Sequence, residues 1–194
     1  MSSRRDGSLS IIRFRKLAAR KIPPQVGVYA LCDLDEMPIY VGQSTDGIRA
    51  RVNRHITSAR SDIIANRMID VWEVAFVRCW PWPHVRELDS VEAHLFHGFH
   101  SKSKLMNGYI PPKPPPLKTA LPDPVTVQLL PDAEIESRRR VELRLPRQAK
   151  HFSDLLDHFL NVKDSQELHL ALRAHFARLS KYFEHLRASA EPEE

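Results

Sequence analysis

Two cysteines in 194 residues, Cys32 and Cys79, are too few and too far apart for a disulfide scaffold. Without CxxC spacing they do not suggest a thiolate zinc site either, and they fit a reducing compartment. No apolar run approaches the ~18 residues that a membrane span requires. Met1-Ser2-Ser3-Arg4-Arg5-Asp6 leads into no signal-peptide hydrophobic region. No membrane association and a cytoplasmic location are therefore expected, and no internal repeat is apparent. What is present is ordinary for a packed protein: 42% apolar and 27% charged residues. The formal net charge of +5 permits a polyanionic partner without requiring one.

Proline sets the organisation. Eight of the fifteen prolines lie between Pro111 and Pro131, where their fixed φ and missing N–H exclude a helix or a central strand. This stretch reads as an extended, semi-rigid connector. It divides the chain into a domain over residues 1–110, a linker over 111–131 and a region over 132–194. The first part carries 16 basic and 11 acidic groups and the last carries 11 and 12, so the positive excess sits in the first.

Val26–Cys32 and Pro38–Val41 are β-branched and aromatic runs joined by the turn residues Asp33-Leu34-Asp35-Glu36, a β-hairpin pattern. Asp46-Gly47 opens a helix whose Ile48, Val52 and Ile56 repeat every four residues, with Arg49, Arg51, Arg54 and His55 on its other faces. A second helical piece over Asp62–Ile69 precedes a strand over Val71–Cys79. Asp89-Ser90 reads as the N-cap of a helix running towards Ser101. The order β-β-α-α-β-α predicts a small α+β domain with a mostly antiparallel three-stranded sheet flanked by helices. Beyond the linker, Phe152–Leu160 and the stripe Leu168, Leu172, Phe176, Leu179, Phe183 and Leu186 predict a C-terminal α-helical hairpin. Its apolar stripe is expected to pack on the first domain or on a second copy.

Residues 22–108 resemble the GIY-YIG nuclease superfamily. The signature tripeptides stand as Gly27-Val28-Tyr29 and Tyr40-Val41-Gly42, with the tyrosines 11 positions apart. Gln43-Ser44 follows, then Ile48, Arg51 and His55 in the family order on a helix. Glu92 stands where a metal-binding glutamate is expected, and Asn107 follows 15 residues later. Gln43 replaces the common lysine, and Leu105-Met106 replaces a proline often found before the closing asparagine. The histidine-containing pattern in a compact chain is most similar to the Eco29kI-type restriction endonucleases. The resemblance implies an endonuclease that hydrolyses DNA with Mg²⁺ or Mn²⁺ and leaves 5′-phosphate and 3′-hydroxyl ends.

The residue chemistry suits those roles. One carboxylate, Glu92, can hold a divalent ion while water and phosphate oxygens complete the octahedron. Arg51 offers a fork of donors to phosphate. Tyr29 would orient or deprotonate the attacking water, and His55 would accept the tyrosine proton. Tyr40 would order water or phosphate, and Asn107 would brace the site from a loop. Gln43, Ser44, Arg49 and Arg54 are candidate nucleic-acid contacts, Arg49 and Arg54 having a solvated surface role as the alternative.

Other features read as structural. His94, His97 and His100 are spaced by three and lack cysteine partners, unlike usual zinc helices. Trp80-Pro81-Trp82-Pro83 is expected to be a rigid packed loop rather than a base-stacking platform. Arg138-Arg139-Arg140 reads as a solvated charge cluster. Expected partners are DNA, with RNA left open, and a second copy through the C-terminal helices. The alternatives are a nucleic-acid-binding or interaction protein that does not cut, or a repair or structure-specific nuclease.

Overall fold

A computed structural model describes residues 2–57, 68–117 and 119–190, with side chains from Ser10 onward except at 185 and 187–190. Its elements are α1 (Ser2–Ala19), β1 (Gly27–Cys32), β2 (Pro38–Ser44), α2 (Ile48–Thr57), β3 (Phe76–Pro81), α3 (Leu88–His100), β4 (Val125–Gln128), α4 (Asp132–Arg139), α5 (Val141–Asn161) and α6 (Gln166–Ala190). Among the described residues, four strands form one antiparallel sheet in the order β2-β1-β3-β4.

The chain is α+β, with helices on both faces of this sheet. Val28, Ala30 and Cys32 of β1 face a core closed by Leu88, Val91 and Phe96 of α3. Tyr29 and Leu31 face a second core shared with Ile48 and Val52 of α2 and with Ala18 and Ala19 of α1. Both faces of β1 are covered, which explains a strand sequence that is apolar almost throughout rather than alternating.

Two expectations are corrected, and two features are ones that the sequence reading did not include. The sheet has a fourth strand, because the proline-rich connector ends in Val125–Gln128, which pairs with β3 along its outer edge. Proline excluded a central strand, and β4 starts just after Pro124 at the edge of the sheet. The strand expected from Val71 begins only at Phe76. Asp70 accepts the Trp72 N–H at 3.0 Å and turns the backbone, a local bond that competes with the ladder. Helix α1 was not expected at all; its Arg15 is anchored at 2.9 and 2.8 Å to the carbonyls of Val71 and Val74 in that turn. Finally, α5 runs through Pro146, where a helix loses one internal bond. Arg144 and Arg147 pin it on either side, to Glu73 and Asp70. Most of the helix expected over Asp62–Ile69 lies outside the described residues.

The hairpin of α5 and α6 packs on the first domain, but its stripe is divided. Leu168 and Leu172 join the core with Leu155, whereas Phe176 and Phe183 are 61% and 49% exposed. Farther along α6 the inward face is polar: His175, Arg178 and Tyr182 are buried. The arginine run is solvated only in part, Arg139 and Arg140 being exposed and Arg138 buried. Arg138 is buried over the Trp72 ring and donates to the Trp72 carbonyl at 2.7 Å, and Arg139 donates to the Leu34 carbonyl at 2.7 Å.

Candidate active site

The hairpin register brings the two signature tyrosines together. Tyr29 lies opposite Gly42, and Tyr40 lies opposite Leu31 two positions away, so both rings rise from the same face. Gly42 is required by this approach, since a Cβ there would sit 2.6 Å from the Tyr29 hydroxyl and 2.9 Å from the Tyr40 ring. Gly27 has a different reason. A Cβ at Gly27 would lie 2.2 Å from the Trp80 carbonyl of β3, so it serves strand packing rather than the cleft.

Helix α2 supplies the next two groups. His55, expected on a face away from the apolar stripe, is buried beside Val52 and Ile56. Its ring fills the space over the hairpin: Tyr29, Tyr40 and His55 have centroids 5.8–6.3 Å apart. The Tyr29 hydroxyl and His55 Nε2 are 2.7 Å apart. Burial, followed by the neighbouring Tyr40, pushes the Tyr29 phenol well above its usual range, and Arg51 beside it only partly opposes this. Tyr29 therefore stands as a neutral O–H aimed at an imidazole rather than as a ready phenolate. Arg51, one turn before His55, keeps its Nε buried with no hydrogen-bond partner among the described residues.

Glu92 comes from α3, across the edge of β2. Burial and then Asp89, one turn earlier, push its carboxyl up to about 7, against the opposing pull of Gln43 and Arg51. Asp89 was read as an N-cap. The helix instead starts at Leu88, and Asp89 accepts from Gln43 Nε2 at 2.5 Å. Asn107 clamps the same strand edge: its side chain accepts the Val41 N–H at 3.1 Å and donates to the Val41 carbonyl at 2.7 Å. Thus Tyr29, Tyr40, Arg51, His55 and Glu92 converge on one place, braced by Asn107 and Gln43.

The remaining candidates separate from it. Ser44 is buried and donates to the Gly47 carbonyl at 2.9 Å, so its hydroxyl is engaged in the turn. Arg49 gives its Nε to the Ile22 carbonyl at 2.7 Å. Arg54 is exposed on α2. Trp80 and Trp82 are buried, and Trp82 donates to Glu87 at 3.0 Å, leaving no stacking platform there. His97 bonds the Pro111 carbonyl at 2.7 Å, and His100 accepts the Leu105 N–H at 3.2 Å. No cluster of three metal-type ligands occurs among the described residues.

A cavity of about 750 Å³ opens beside Glu92, lined by Tyr40, Asn107, Tyr109 and Pro111–Pro115. Sequence reasoning missed this wall. Residues 109–117 form no regular helix or strand, and nothing in their composition said that they would line a cavity beside α3.

Residues 25–106 match the family model of the GIY-YIG catalytic domain, a span that covers the hairpin, α2, β3 and α3 and stops one residue before Asn107. No curated protein and no solved structure matches the chain.

Proposed function

We propose that the protein, carrying a GIY-YIG catalytic domain at residues 25–106, is a divalent-metal-dependent endonuclease that hydrolyses DNA phosphodiester bonds. In its finer form it acts as a restriction or host-defence nuclease akin to the Eco29kI-type enzymes. The observation that carries this reading is the buried 2.7 Å contact between Tyr29 and His55, with Arg51 beside Tyr29 and with Tyr40 and Glu92 lining the adjoining groove. Cleavage requires a positioned nucleophile, a proton acceptor and compensation for charge on phosphorus. Tyr29 orients the attacking water through its hydroxyl. As Tyr29 passes its own proton to His55 Nε2, His55 carrying its proton on Nδ1, it takes one from the attacking water, so hydroxide attacks phosphorus and no free phenolate has to persist in a buried position. The unsatisfied Arg51 Nε donates to a phosphate oxygen.

The donor set also fits a hard cation. Glu92 is a half-buried oxygen ligand with Asp89 one turn away, and Arg51 leaves their combined negative charge only partly offset. When bound at Glu92, Mg²⁺ or Mn²⁺ supplies Lewis-acid stabilisation of charge on the phosphate and the departing oxygen. Concerted cutting of both strands requires two sites, and the exposed Phe176 and Phe183 offer a face through which two copies pair. Sedimentation of Phe176→Ser/Phe183→Ser tests that pairing.

Conversion of supercoiled plasmid to nicked and linear forms in Mg²⁺ or Mn²⁺ tests the activity. The wild-type protein should cut, and Glu92→Ala should retain DNA binding without cutting. A Glu92→Ala variant as fast as wild type would remove the metal assignment. Wild-type binding without nicks would instead favour the non-cleaving scaffold, and preferential cutting of branched or damaged duplexes the repair role.

A further inference from the structure

We propose that the nucleic-acid backbone leaves the catalytic groove along a basic furrow between the 100–104 turn and α6, its phosphates held by Lys102, Lys104, Arg173 and Lys181. This rests on the nuclease reading above and adds a binding track to it. Three depressions adjoin one another along this line. The 750 Å³ groove at Glu92 shares Asn107 with a depression of about 270 Å³, which in turn shares His100, Lys104 and Ala177 with one of about 230 Å³.

Its walls follow from local structure. On α6, Leu170, Arg173, Ala174, Ala177 and Lys181 recur at helical spacing and line the furrow. Ala174 and Ala177 keep the floor low, while Arg173 and Lys181 stand exposed along it. The facing wall is Ser101-Lys102-Ser103-Lys104, a turn folded back on the end of α3 by Ser103 N–H donating to the Phe99 carbonyl at 2.9 Å. Lys102 and Lys104 are both exposed.

The charge is available. None of Lys102, Lys104, Arg173 and Lys181 has an ion pair among the described residues. The two acids of the innermost depression are already taken, Asp33 by Arg178 and Arg144, and Asp35 by Arg144 and Arg139. Glu92, Asp89 and Glu167 line only the first cavity. His100 accepts from Leu105 through Nδ1, which leaves Nε2–H as a neutral donor. Hydroxyls, one neutral imidazole N–H and four flexible cations suit phosphate contact without base readout. Adjacency to the catalytic groove selects nucleic acid over an acidic polypeptide.

The test uses the full-length protein in a Glu92→Gln background, with a generic duplex oligonucleotide titrated over a range of NaCl concentrations. Neutralising Lys102, Lys104, Arg173 and Lys181 to Gln should weaken binding at least tenfold. It should also flatten the plot of log K against log salt by about 0.9 for each phosphate that the protein no longer neutralises. A control that replaces exposed Arg13, Arg140, Lys150 and Lys163 by Gln removes the same net charge and should leave a steeper slope. Equal slopes in the two quadruple variants would overturn the furrow, as would failure of the parent to bind duplex. So would binding of poly-glutamate that depends on the four cations while duplex binding does not. Plasmid cleavage by the wild-type protein is scored separately, so loss of the track and loss of the nuclease reading are distinguishable.

Discussion

The molecule contains two clusters built from the same side chains, tyrosine, arginine and carboxylate, and they differ in that one of them keeps a buried donor unfilled. At the seam between the first domain and the helical hairpin, Arg144 donates to Glu73 at 3.1 and 2.9 Å, to Asp35 at 2.6 Å and to the Tyr182 hydroxyl at 2.8 Å. Arg178 donates to Asp33 and, at 2.7 Å, to the same hydroxyl. Burial works against both charges, but Glu73 followed by Tyr182 at Arg144, and Tyr182 followed by Asp33 at Arg178, hold the guanidiniums more firmly charged than usual. At the groove, Arg51 Nε has no bond among the described residues, burial lifts the Tyr29 phenol, and burial together with Asp89 lifts Glu92. A satisfied polar cluster fixes one structure, whereas an unsatisfied one holds binding capacity in reserve for something that arrives.

The matched tyrosines test this difference most sharply. Tyr29→Phe removes one hydroxyl and should lower cleavage by about 10²–10⁴-fold, as expected for a positioned acid–base group. Stability should fall as well, by about 1 kcal/mol, because buried His55 Nε2 loses its partner. Tyr182→Phe should cost more stability, roughly 1–3 kcal/mol, since two buried arginines lose an acceptor, while leaving turnover per folded molecule within a few-fold. Plasmid cleavage and urea unfolding on both variants read the comparison, and equal effects on both properties would erase it.

Arg144→Ala should act on stability alone, costing about 3–5 kcal/mol because Glu73 and Asp33 lose a buried counter-charge. Urea unfolding checks it; a loss under 1 kcal/mol would mean that water replaces the guanidinium. Gly42→Ala works between the two regions. Its Cβ intrudes on Tyr29, whose ring is fully buried and cannot swing away, so overpacking should cost about 1–3 kcal/mol. Cleavage per folded molecule should drop with it, and thermal unfolding beside a nicking assay separates the two effects.

The groove was far more legible in the sequence than the seam. Tyr29 and Tyr40 could be placed because a two-residue strand period and a short turn fix their relative position. Arg51 and His55 follow from one helical turn. Periodicity equates charge with exposure, and the seam breaks that rule. On α6, Arg178 and His175 face inward while Phe176 faces out, so the stripe alone could not say which side docks. Arg138 is hidden by its bonds to Trp72, whose own position depends on the Asp70 turn. Strand β4 was obscured for another reason: its four residues gain stability only from β3, a partner distant in sequence. Ser44 and Arg49 matched plausible roles by type, but nearby carbonyls claimed their donors.

The last comparison separates the regions by pH. His175 on α6 is almost completely buried and donates Nε2–H to the Met68 carbonyl at 2.8 Å. Burial and then His151 of α5, whose ring lies 4.8 Å away, push its pKa down to about 3. Arg178 adds to the depression, and Asp70, before β3, weakly opposes it. Below about pH 6.5 the unfolded chain therefore binds a proton that the native seam refuses. Stability contributed by neutral His175 is complete above that pH and declines by roughly 1.4 kcal/mol for each unit below it, down to about pH 3. Asp70 responds later. Burial works against its charge, but two bonds from Arg147 outweigh that and lower its pKa, so its contribution disappears only in stronger acid. His175→Gln keeps an N–H donor for Met68 and abolishes the titration. Urea midpoints between pH 7 and 5 should fall for the wild-type protein and stay nearly flat for the variant, the two curves descending together only below about pH 3. Parallel curves across the whole range would show that the seam's sensitivity to acid arises at another group, His151 being next to test.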